Sequence, residues 1–302
     1  MARKIILDVD TGIDDALAIA YALGSEELEL IGVTGTYGNV LVPTGTRNAL
    51  AILELFGRED VPVYAGPGHA RAKDSFEVLE ISEFIHGKNG IGEAQIPDAK
   101  REVEAKSAVD FMVESVREYG DELVIVPVGP LTTVAAAMEA NPEFAANAHI
   151  VNMGGALTVP GNVSAWAEAN INQDPEAADM VFRGVGDITM IGLDVTLQTL
   201  LTTEETAKWE ALGTTGGDFL AAATNYYIKA YETTAPYLGG CGLHDPLAVG
   251  VAVDPTLVTT IDINMKTDTE GETRGRTIGD ETRLNDAEKT AHVAVAVDVQ
   301  RF

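Results

Sequence analysis

Short apolar runs alternate with helix-like segments along most of the 302-residue chain. The apolar runs predict buried strands, because they are short and rich in valine and isoleucine. They are KIILDVD, ELELIGVTGT, VPVYAG, ELVIVPVG, HIVNMGG and DITMIG. Helical periodicity falls between them, near 13–24, 43–57, 107–119, 131–140, 174–184, 203–212 and 217–232. This alternation predicts βαβ units and a mainly parallel sheet flanked by helices, which is the α/β class.

The C-terminal part of the chain departs from this pattern. LVTTIDINM and HVAVAVDV flank the polar stretch TDTEGETRGRTIGDETRLND, which predicts an antiparallel strand pair with a long solvated loop. No linker or change of composition divides the sequence, and we predict a single domain over residues 1–302. The most loop-like interior stretch, 66–106, is charged and glycine-dotted, and its length is typical of an active-site flap.

The charge balance argues against two classes of partner. The chain has 47 acidic and 20 basic residues, a formal charge of −27, whereas nucleic acids and anionic membranes bind basic surfaces. Such an acidic composition is also typical of proteins from high-salt cytoplasms. The single Cys241 excludes an intrachain disulfide, and we expect it to be a buried apolar group. No apolar run is long enough for a signal peptide or a membrane span, which predicts a cytoplasmic protein.

A cluster of acidic residues follows the first apolar run. The sequence DVDTGIDD places four carboxylates within eight residues: Asp8, Asp10, Asp14 and Asp15. Neighbouring carboxylates repel one another and raise each other's pKa unless a cation or a shared proton neutralises them. Helix capping explains one acidic residue at such a position but not four. Carboxylate oxygens favour Ca²⁺ or Mg²⁺, so the cluster predicts a divalent metal site.

Other candidate site residues also lie at the ends of predicted elements. Asn39 follows the second predicted strand and Val128 the fourth, and ligands of open parallel sheets bind beyond the carboxyl ends of strands. Ca²⁺ prefers roughly six to eight oxygen ligands, more than one loop supplies, so we expect distant strand ends to contribute. The segment GCGLHDPLAVG adds His244 and Asp245 just before a predicted helix.

Four motifs follow one another along the chain: DVDTGIDDA, GPLTTVA, MGGALTVPGNVSAWAEANINQDPEAA and LHDPLAV. In their order and spacing, the chain resembles the calcium-dependent inosine-uridine-preferring nucleoside hydrolase family over essentially its whole length. The resemblance implies one α/β domain with a mostly parallel, Rossmann-like sheet, assembled as a homodimer or homotetramer. It also implies hydrolysis of a ribonucleoside to ribose and free base, a reaction of purine and pyrimidine salvage.

The resemblance further implies how the metal is held. Asp10, Asp15 and Asp245 would be carboxylate ligands of Ca²⁺, and the backbone carbonyl of Val128 would be another. Asp10 would also accept a proton from the metal-bound water, a step that needs a nearby carboxylate because Ca²⁺ acidifies water less than Zn²⁺ does. Asp8 would lie behind these ligands.

The substrate residues implied by the resemblance come from several parts of the chain. Those implied to hold the ribose or place the water are Asp14, Asn39, Asn162, Glu168 and Asn170. His244 and His86 would lie beside the nucleobase, where a histidine can protonate the departing base. Carboxylate and amide oxygens around the sugar would stabilise the positive charge that develops as the N-glycosidic bond breaks.

The sequence departs from the usual family pattern at a few positions. Ala169 stands where phenylalanine is usual, which removes an aromatic ring beside the sugar. The adjacent Trp166 is a candidate to replace that ring. Thr133 stands where asparagine is usual, and Thr11 where many members carry proline, a mild change because both residues suit a turn.

Two other functional classes stay open at this point. DVDTG also fits the DxDxT signature of haloacid-dehalogenase-like phosphatases, with Asp8 attacking phosphorus and Asp10 as the acid/base beside Mg²⁺. That hypothesis leaves Asp14 and Asp15 without a role. The other class is a nucleoside-binding protein that does not hydrolyse its ligand.

Several of the candidate site residues also have interpretations that involve no catalysis or binding. Glu168, Asn162 and Asn170 are residue types that cap loops and helices, and His86 lies in a glycine-rich segment typical of mobile surface. The tyrosines near the helix 217–232 are interpreted mainly as packing residues, with one available to stack on a nucleobase. They are Tyr226, Tyr227, Tyr231 and Tyr237.

Overall fold

The computed structural model describes residues 2–302. Its strands, in chain order, are β1 (Arg3–Val9), β2 (Leu28–Gly35), β3 (Val63–Ala65), β4 (Leu123–Pro127), β5 (His149–Met153), β6 (Asp187–Ile191), β7 (Leu200–Leu201), β8 (Cys241–Gly242), β9 (Val258–Ile263), β10 (Met265–Thr267), β11 (Thr277–Gly279) and β12 (Ala291–Val297). Each of the six predicted strands forms, and the bounds differ from the prediction by a few residues at most.

The α-helices connect these strands and cover the sheet. They are α1 (Ile13–Gly24), α2 (Val42–Leu55), α3 (Glu80–His86), α4 (Ala108–Tyr119), α5 (Thr132–Ala140), α6 (Pro142–Asn147), α7 (Ala169–Gln173), α8 (Pro175–Gly184), α9 (Leu193–Thr196), α10 (Thr203–Glu210), α11 (Thr215–Thr234) and α12 (His244–Val253). None of those in residues 2–302 is long and apolar enough to cross a membrane.

Eight strands form the central sheet in the order β3-β2-β1-β4-β5-β6-β12-β9. All neighbouring pairs are parallel except β12 and β9, which pair antiparallel from Ala291–Ile263 to Val297–Val258. This confirms the mostly parallel α/β sheet and the antiparallel C-terminal strand pair. The strand order reverses between β1 and β4, and such a switch point leaves a crevice at the carboxyl ends of the two strands.

The side chains of β1 show why this strand is central. Ile5, Ile6 and Leu7 are all fully buried, and successive residues point to opposite faces of the sheet. Ile5 and Leu7 belong to the core on the face covered by α1, α11 and α12, whereas Ile6 belongs to the core beneath α5 and α8. A continuous apolar run is therefore the expected signature of this strand.

The segment predicted as a long solvated loop differs from the prediction. It forms the antiparallel pair β10–β11, and Asp280 just beyond this pair is fully buried. Asp280 forms ion pairs with Arg183 and Arg283 at 2.7 and 2.6 Å. A polar stretch predicts a solvated loop, but burial of a charged group within it is tolerated where its partners neutralise it.

Candidate active site

Three acidic residues of the cluster converge at the switch point with a fourth from the C-terminal half. Asp10 follows β1, Asp14 and Asp15 occupy the first turn of α1, and Asp245 is the second residue of α12. All four of these carboxylates are buried. One oxygen each of Asp14, Asp15 and Asp245 lies within 4.8 Å of the others, an arrangement that could hold a metal ion.

Backbone donors fix the orientation of these carboxylates. Asp15 accepts hydrogen bonds from the backbone N–H groups of Asp10 (3.0 Å) and Gly12 (2.7 Å). Asp10 Oδ2 accepts the backbone N–H of Asn39 at 2.6 Å. Two other carboxylate oxygens, Asp10 Oδ1 and Asp14 Oδ1, are buried without a hydrogen-bond partner.

The electrostatics of the cluster favour a bound cation. Burial, followed by the charges of neighbouring aspartates, raises the pKa of Asp10 and Asp245 well above the usual range. The same causes raise the pKa of Asp15 to about 7. Buried carboxylates that repel one another and keep unpartnered oxygens fit a hard divalent cation, which supplies both the missing charge and the missing ligand contacts.

The carbonyl of Val128 joins the site from the end of β4. It accepts a hydrogen bond from Asn170 Nδ2 at 2.7 Å, which leaves its second lone pair available. Asn170 Nδ2 also lies 3.3 Å from the carbonyl of Met153. The amide of Asn170 thus contacts the ends of two strands, and its Oδ1 is left for a ligand.

Glu168 is the N-cap of α7. Its carboxylate accepts the backbone N–H groups of Asn170, Ile171 and Gly155 at 2.9, 3.1 and 2.9 Å. Asn162 Oδ1 accepts the backbone N–H of Ala169 at 3.0 Å. The capping interpretation therefore describes part of what these residues do, yet Glu168, Asn162 and Asn170 all line the same cavity.

His86 is the last residue of α3 and is buried rather than on the surface. Its Nδ1 accepts the backbone N–H of Ile13 at 3.2 Å, so the ring proton is on Nε2. Burial lowers its pKa. Gly12 is required for this approach, since a Cβ there would lie 2.6 Å from Asn39 Nδ2 and 2.7 Å from His86 Nδ1.

His244 begins α12, with both ring nitrogens engaged. Nδ1 lies 2.7 Å from Thr196 Oγ1 and Nε2 lies 2.6 Å from Tyr231 Oη. Burial lowers its pKa, so the neutral imidazole donates one of these bonds and accepts the other. Tyr227 donates to Asp14 Oδ2 at 3.3 Å. The sequence interpretation missed these polar roles, although Tyr227 and Tyr231 are four residues apart and therefore share a helix face.

These residues line a cavity of about 400 Å³. It contains every residue predicted to hold the ribose or to lie beside the base, namely Asp14, Asn39, Asn162, Glu168, Asn170, His86 and His244. Asp10 and Val128 also line it. Trp166 is not part of this lining: the guanidinium of Arg276 lies over its ring, 5.1 Å from the ring centroid, and the residue is 42% exposed. That Trp166 replaces the missing aromatic ring stays a prediction.

Two residues with nucleophilic side chains, Asp8 and Cys241, are inaccessible. Asp8 is fully buried, bonds to Thr34 Oγ1 at 2.7 Å, and lies outside the cavity lining. This placement argues against the phosphatase hypothesis. Cys241 is buried as expected, and burial raises the pKa of its thiol to about 12, which keeps it protonated.

Gly38 offers a test of how tightly Asp10 is positioned. A Cβ at Gly38 would collide with Asp10 Oδ2. We expect Gly38→Ala to displace that carboxylate and lower kcat/KM for a cleaved nucleoside by about 100-fold or more, because misplaced catalytic groups are costly. Gly57→Ala is the matched control, since Gly57 also has a positive φ but has open space around it. Full activity in Gly38→Ala would show that this contact does not matter.

The sheet and this cavity define an α/β enzyme whose acidic site opens at the carboxyl ends of its strands. Residues 5–302 match the sequence model of the family described as inosine-uridine preferring nucleoside hydrolase, and the chain belongs to that family. It is an enzyme, and the family hydrolyses ribonucleosides and is metal-dependent.

Relatives of known sequence and structure agree with this assignment. The chain is 40% identical to probable uridine nucleosidase 2 of Arabidopsis thaliana, over 98% of this chain and 94% of that protein. It is 66% identical to a solved purine-preferring ribonucleoside hydrolase from Gardnerella vaginalis, with a TM-score of 0.98 over 99% of this chain and 95% of that one. A solved plant nucleoside hydrolase is 37% identical, with a TM-score of 0.94 over 100% and 96%.

Proposed function

We propose that this chain hydrolyses the N-glycosidic bond of a ribonucleoside with a Ca²⁺ ion held by Asp10, Asp15, Asp245 and the carbonyl of Val128. One observation carries the metal assignment: buried carboxylates with unpartnered oxygens, on Asp10 and Asp14, lie beside a cavity whose lining, within residues 2–302, holds no lysine or arginine to neutralise them. Asp14 lies close enough to Asp15 and Asp245 to share the ion or to bind a ribose hydroxyl beside it. A ligand set made of oxygen atoms alone favours Ca²⁺ over zinc.

When bound, Ca²⁺ orients a water molecule and lowers its pKa. Asp10 is suited to accept the proton of that water, because Oδ2 is fixed by the N–H of Asn39 while Oδ1 is unpartnered. As the bond to the base breaks, the ribose gains oxocarbenium character. Glu168 and Asp14 supply negative charge around the sugar and stabilise that state selectively.

We propose that the leaving base contacts His86 and His244. His86 Nε2 carries the ring proton, since Nδ1 accepts the N–H of Ile13, and it can donate that proton or a hydrogen bond to the base. His244 is held between Tyr231 and Thr196 and is proposed to orient the same base. Cleavage of the bond is balanced by the water oxygen joining C1′ and a proton reaching the base nitrogen.

We propose that purine nucleosides are the preferred substrates. The Gardnerella relative is described as purine-preferring and is much more similar to this chain than the Arabidopsis uridine nucleosidase. The cavity wall beside the base includes Ile81, Ile85 and Tyr227, whose apolar surface suits the larger face of a bicyclic base.

The segment 66–106 is predicted from the sequence to be an active-site flap. We propose that it acts as a flap over the substrate, since α3 contributes Ile81, Ile85 and His86 to the cavity. Its glycine-rich end is anchored, because Ile91 is buried and Asn48 Nδ2 donates to the carbonyl of Asn89 at 2.7 Å.

Assembly as a homodimer or homotetramer, a cytoplasmic location and a high-salt habitat stay predictions.

A panel of ribonucleosides tests the proposed function. Released ribose and base are measured for inosine, adenosine, guanosine, uridine and cytidine with added Ca²⁺, at low and high salt. We expect the purines to be cleaved with the higher kcat/KM. The control is 2′-deoxyinosine, which lacks a hydroxyl that the ion would bind and should be cleaved at least about 100-fold more slowly. Binding of nucleosides without release of any base would favour the non-catalytic alternative.

A further inference from the structure

The ring of His244 lies between the cavity and the protein interior. Its Nε2 lies 2.6 Å from the hydroxyl of Tyr231, and both residues line the cavity. Its Nδ1 lies 2.7 Å from Thr196 Oγ1, and Thr196 is fully buried outside the cavity lining. One ring nitrogen therefore bonds to a residue that lines the cavity, and the other bonds to a residue behind it.

The backbone around His244 limits how far the ring can move. A Cβ at Gly242 would lie 2.6 Å from His244 Nε2, so the imidazole lies directly against that glycine. The backbone N–H of Leu243 donates to the carbonyl of Thr199 at 2.8 Å, which ties the start of α12 to the turn after α9. The backbone thus fixes the place of the ring, and the partners of its two nitrogens select its orientation.

Thr196 is held on a well-anchored element. It is the last residue of α9, the short helix that follows β6. Asp194 of the same helix accepts the backbone N–H groups of Leu157 and Thr158 at 2.9 and 2.6 Å, which fastens α9 to the loop after β5. The β-branch of a threonine also restricts χ1. The Thr196 hydroxyl therefore reaches His244 from a fixed position.

The two hydroxyl contacts distinguish the observed ring orientation from the flipped one. Turning the imidazole by half a turn about χ2 would exchange each ring nitrogen with a carbon, and carbons would then face Thr196 Oγ1 and the Tyr231 hydroxyl. A buried hydroxyl left without a partner is costly. The bond made by one ring nitrogen of a histidine also decides what the other can do. Loss of the Thr196 hydroxyl removes one of the two bonds that select this orientation.

We infer that Thr196 is a positioning residue for departure of the base: its hydroxyl holds His244 in the orientation that faces Tyr231 and the leaving base. The inference rests on the proposed nucleoside hydrolase function. Because Thr196 lies outside the cavity lining, its effect on the reaction passes through His244. The balance of the reaction is unchanged, since the water oxygen joins C1′ and a proton reaches the base nitrogen.

The test compares two substrates that differ in their need for a proton at the leaving group. Hypoxanthine leaves inosine with a proton, whereas para-nitrophenyl riboside releases para-nitrophenolate, an anion that is stable near neutral pH. Thr196→Val and Thr196→Ala remove the hydroxyl, and Thr196→Ser keeps it. We expect the first two to lower kcat for inosine by at least about 10-fold and kcat for the riboside by less than about 3-fold, because only inosine needs the positioned group. Thr196→Ser should keep the wild-type ratio.

Thr206→Val is the matched control. Thr206 is also buried and also bonds to a neutral side chain at 2.7 Å, that of Asn225, but it lies on α10 outside the cavity lining. We expect this variant to lose melting temperature as Thr196→Val does, and to keep kcat for both substrates within about 3-fold of the wild type. Equal losses for inosine and the riboside in Thr196→Val would indicate a purely structural role and overturn the inference.

A double-mutant cycle tests whether Thr196 acts through His244, and it decides the inference even if the riboside is a poor substrate. In a His244→Ala background, Thr196→Val should lower kcat for inosine by less than about 3-fold further, because the ring that it positions is gone. Additive losses would overturn the inference, and so would full cleavage of inosine by Thr196→Val and Thr196→Ala; both results leave the proposed function intact. Wild-type activity in His244→Ala would overturn the inference together with the role proposed for His244. A wild type that releases no base from any ribonucleoside would overturn the proposed function as well.

Discussion

Replacement of Asp10 by asparagine is expected to lower kcat for the best-cleaved nucleoside by about 10²–10⁴-fold, the range typical of losing a general base. Asparagine keeps the size of the side chain and can still accept the N–H of Asn39, so the local geometry should survive. It cannot take a proton from water. The same change removes one charge from a crowded, buried group, and we therefore expect the melting temperature of the chelated protein to rise.

The matched control for Asp10→Asn is Asp8→Asn, two residues earlier in the chain. Asp8 is buried outside the cavity, and asparagine can keep the hydrogen bond from Thr34 Oγ1. We expect Asp8→Asn to retain nucleoside cleavage within about 10-fold. Equal loss of activity in both variants would argue against a specific role for Asp10. Phosphatase activity that Asp8→Asn abolishes would restore the phosphatase hypothesis.

Much of the fold could be predicted from local patterns because the central strands are buried on both faces. Ile5, Ile6 and Leu7 form a continuous apolar run, and such a run has few alternatives to a central parallel strand. Helices α7 and α9 were not predicted, since five and four residues are too few to show a helical period. Helix α3 was missed because its exposed residues place it in a polar stretch, and only His86 of it is buried.

The residues of the candidate site also differ in how far the sequence predicts their positions. The acidic cluster was visible in the sequence because its members are neighbours, and their placement follows directly from β1 and the first turn of α1. The partners of His244 could not be predicted: Thr196 is 48 residues away, and its contact depends on how α9 and α12 pack. The capping bonds of Glu168 to Asn170 and Ile171 are local and follow from its residue type, but its bond from the backbone N–H of Gly155 depends on the turn after β5.

Removal of the divalent ion is expected to abolish cleavage and to destabilise the protein. The structure holds Asp10, Asp15 and Asp245 buried near one another, and a cation that binds only the folded state stabilises it by about 2.7 kcal/mol at 100 times Kd. The measurement compares kcat and melting temperature in EGTA and in Ca²⁺, with Mg²⁺ and Zn²⁺ as alternative ions. Asp245→Asn should raise the Ca²⁺ concentration needed for both effects.

Binding of the ion should also release protons, because ligands must be deprotonated. Burial and the charge of Asp14 raise the pKa of Asp15 to about 7, so much of it is protonated in the metal-free protein near pH 6 and less near pH 8. We expect more protons to be released per ion, and a weaker apparent affinity, at the lower pH. Calorimetric titrations in two buffers with different ionisation enthalpies measure that number. Release that does not change with pH would contradict the raised pKa.

The dependence of stability on pH provides the sharpest distinction between a metal site and a set of carboxylates that share protons. The folded pKa of Asp15 lies above its unfolded value of about 3.9, so the chelated folded state binds more protons than the unfolded state between about pH 4 and 7. Its stability should fall as pH rises through that window. Ca²⁺ should remove this loss, so the difference in melting temperature between the loaded and chelated protein should grow towards pH 7. Asp15→Asn should raise the chelated melting temperature and abolish the Ca²⁺ response. Full activity in EGTA, with a melting temperature that Ca²⁺ leaves unchanged, would mean that shared protons rather than an ion neutralise the cluster.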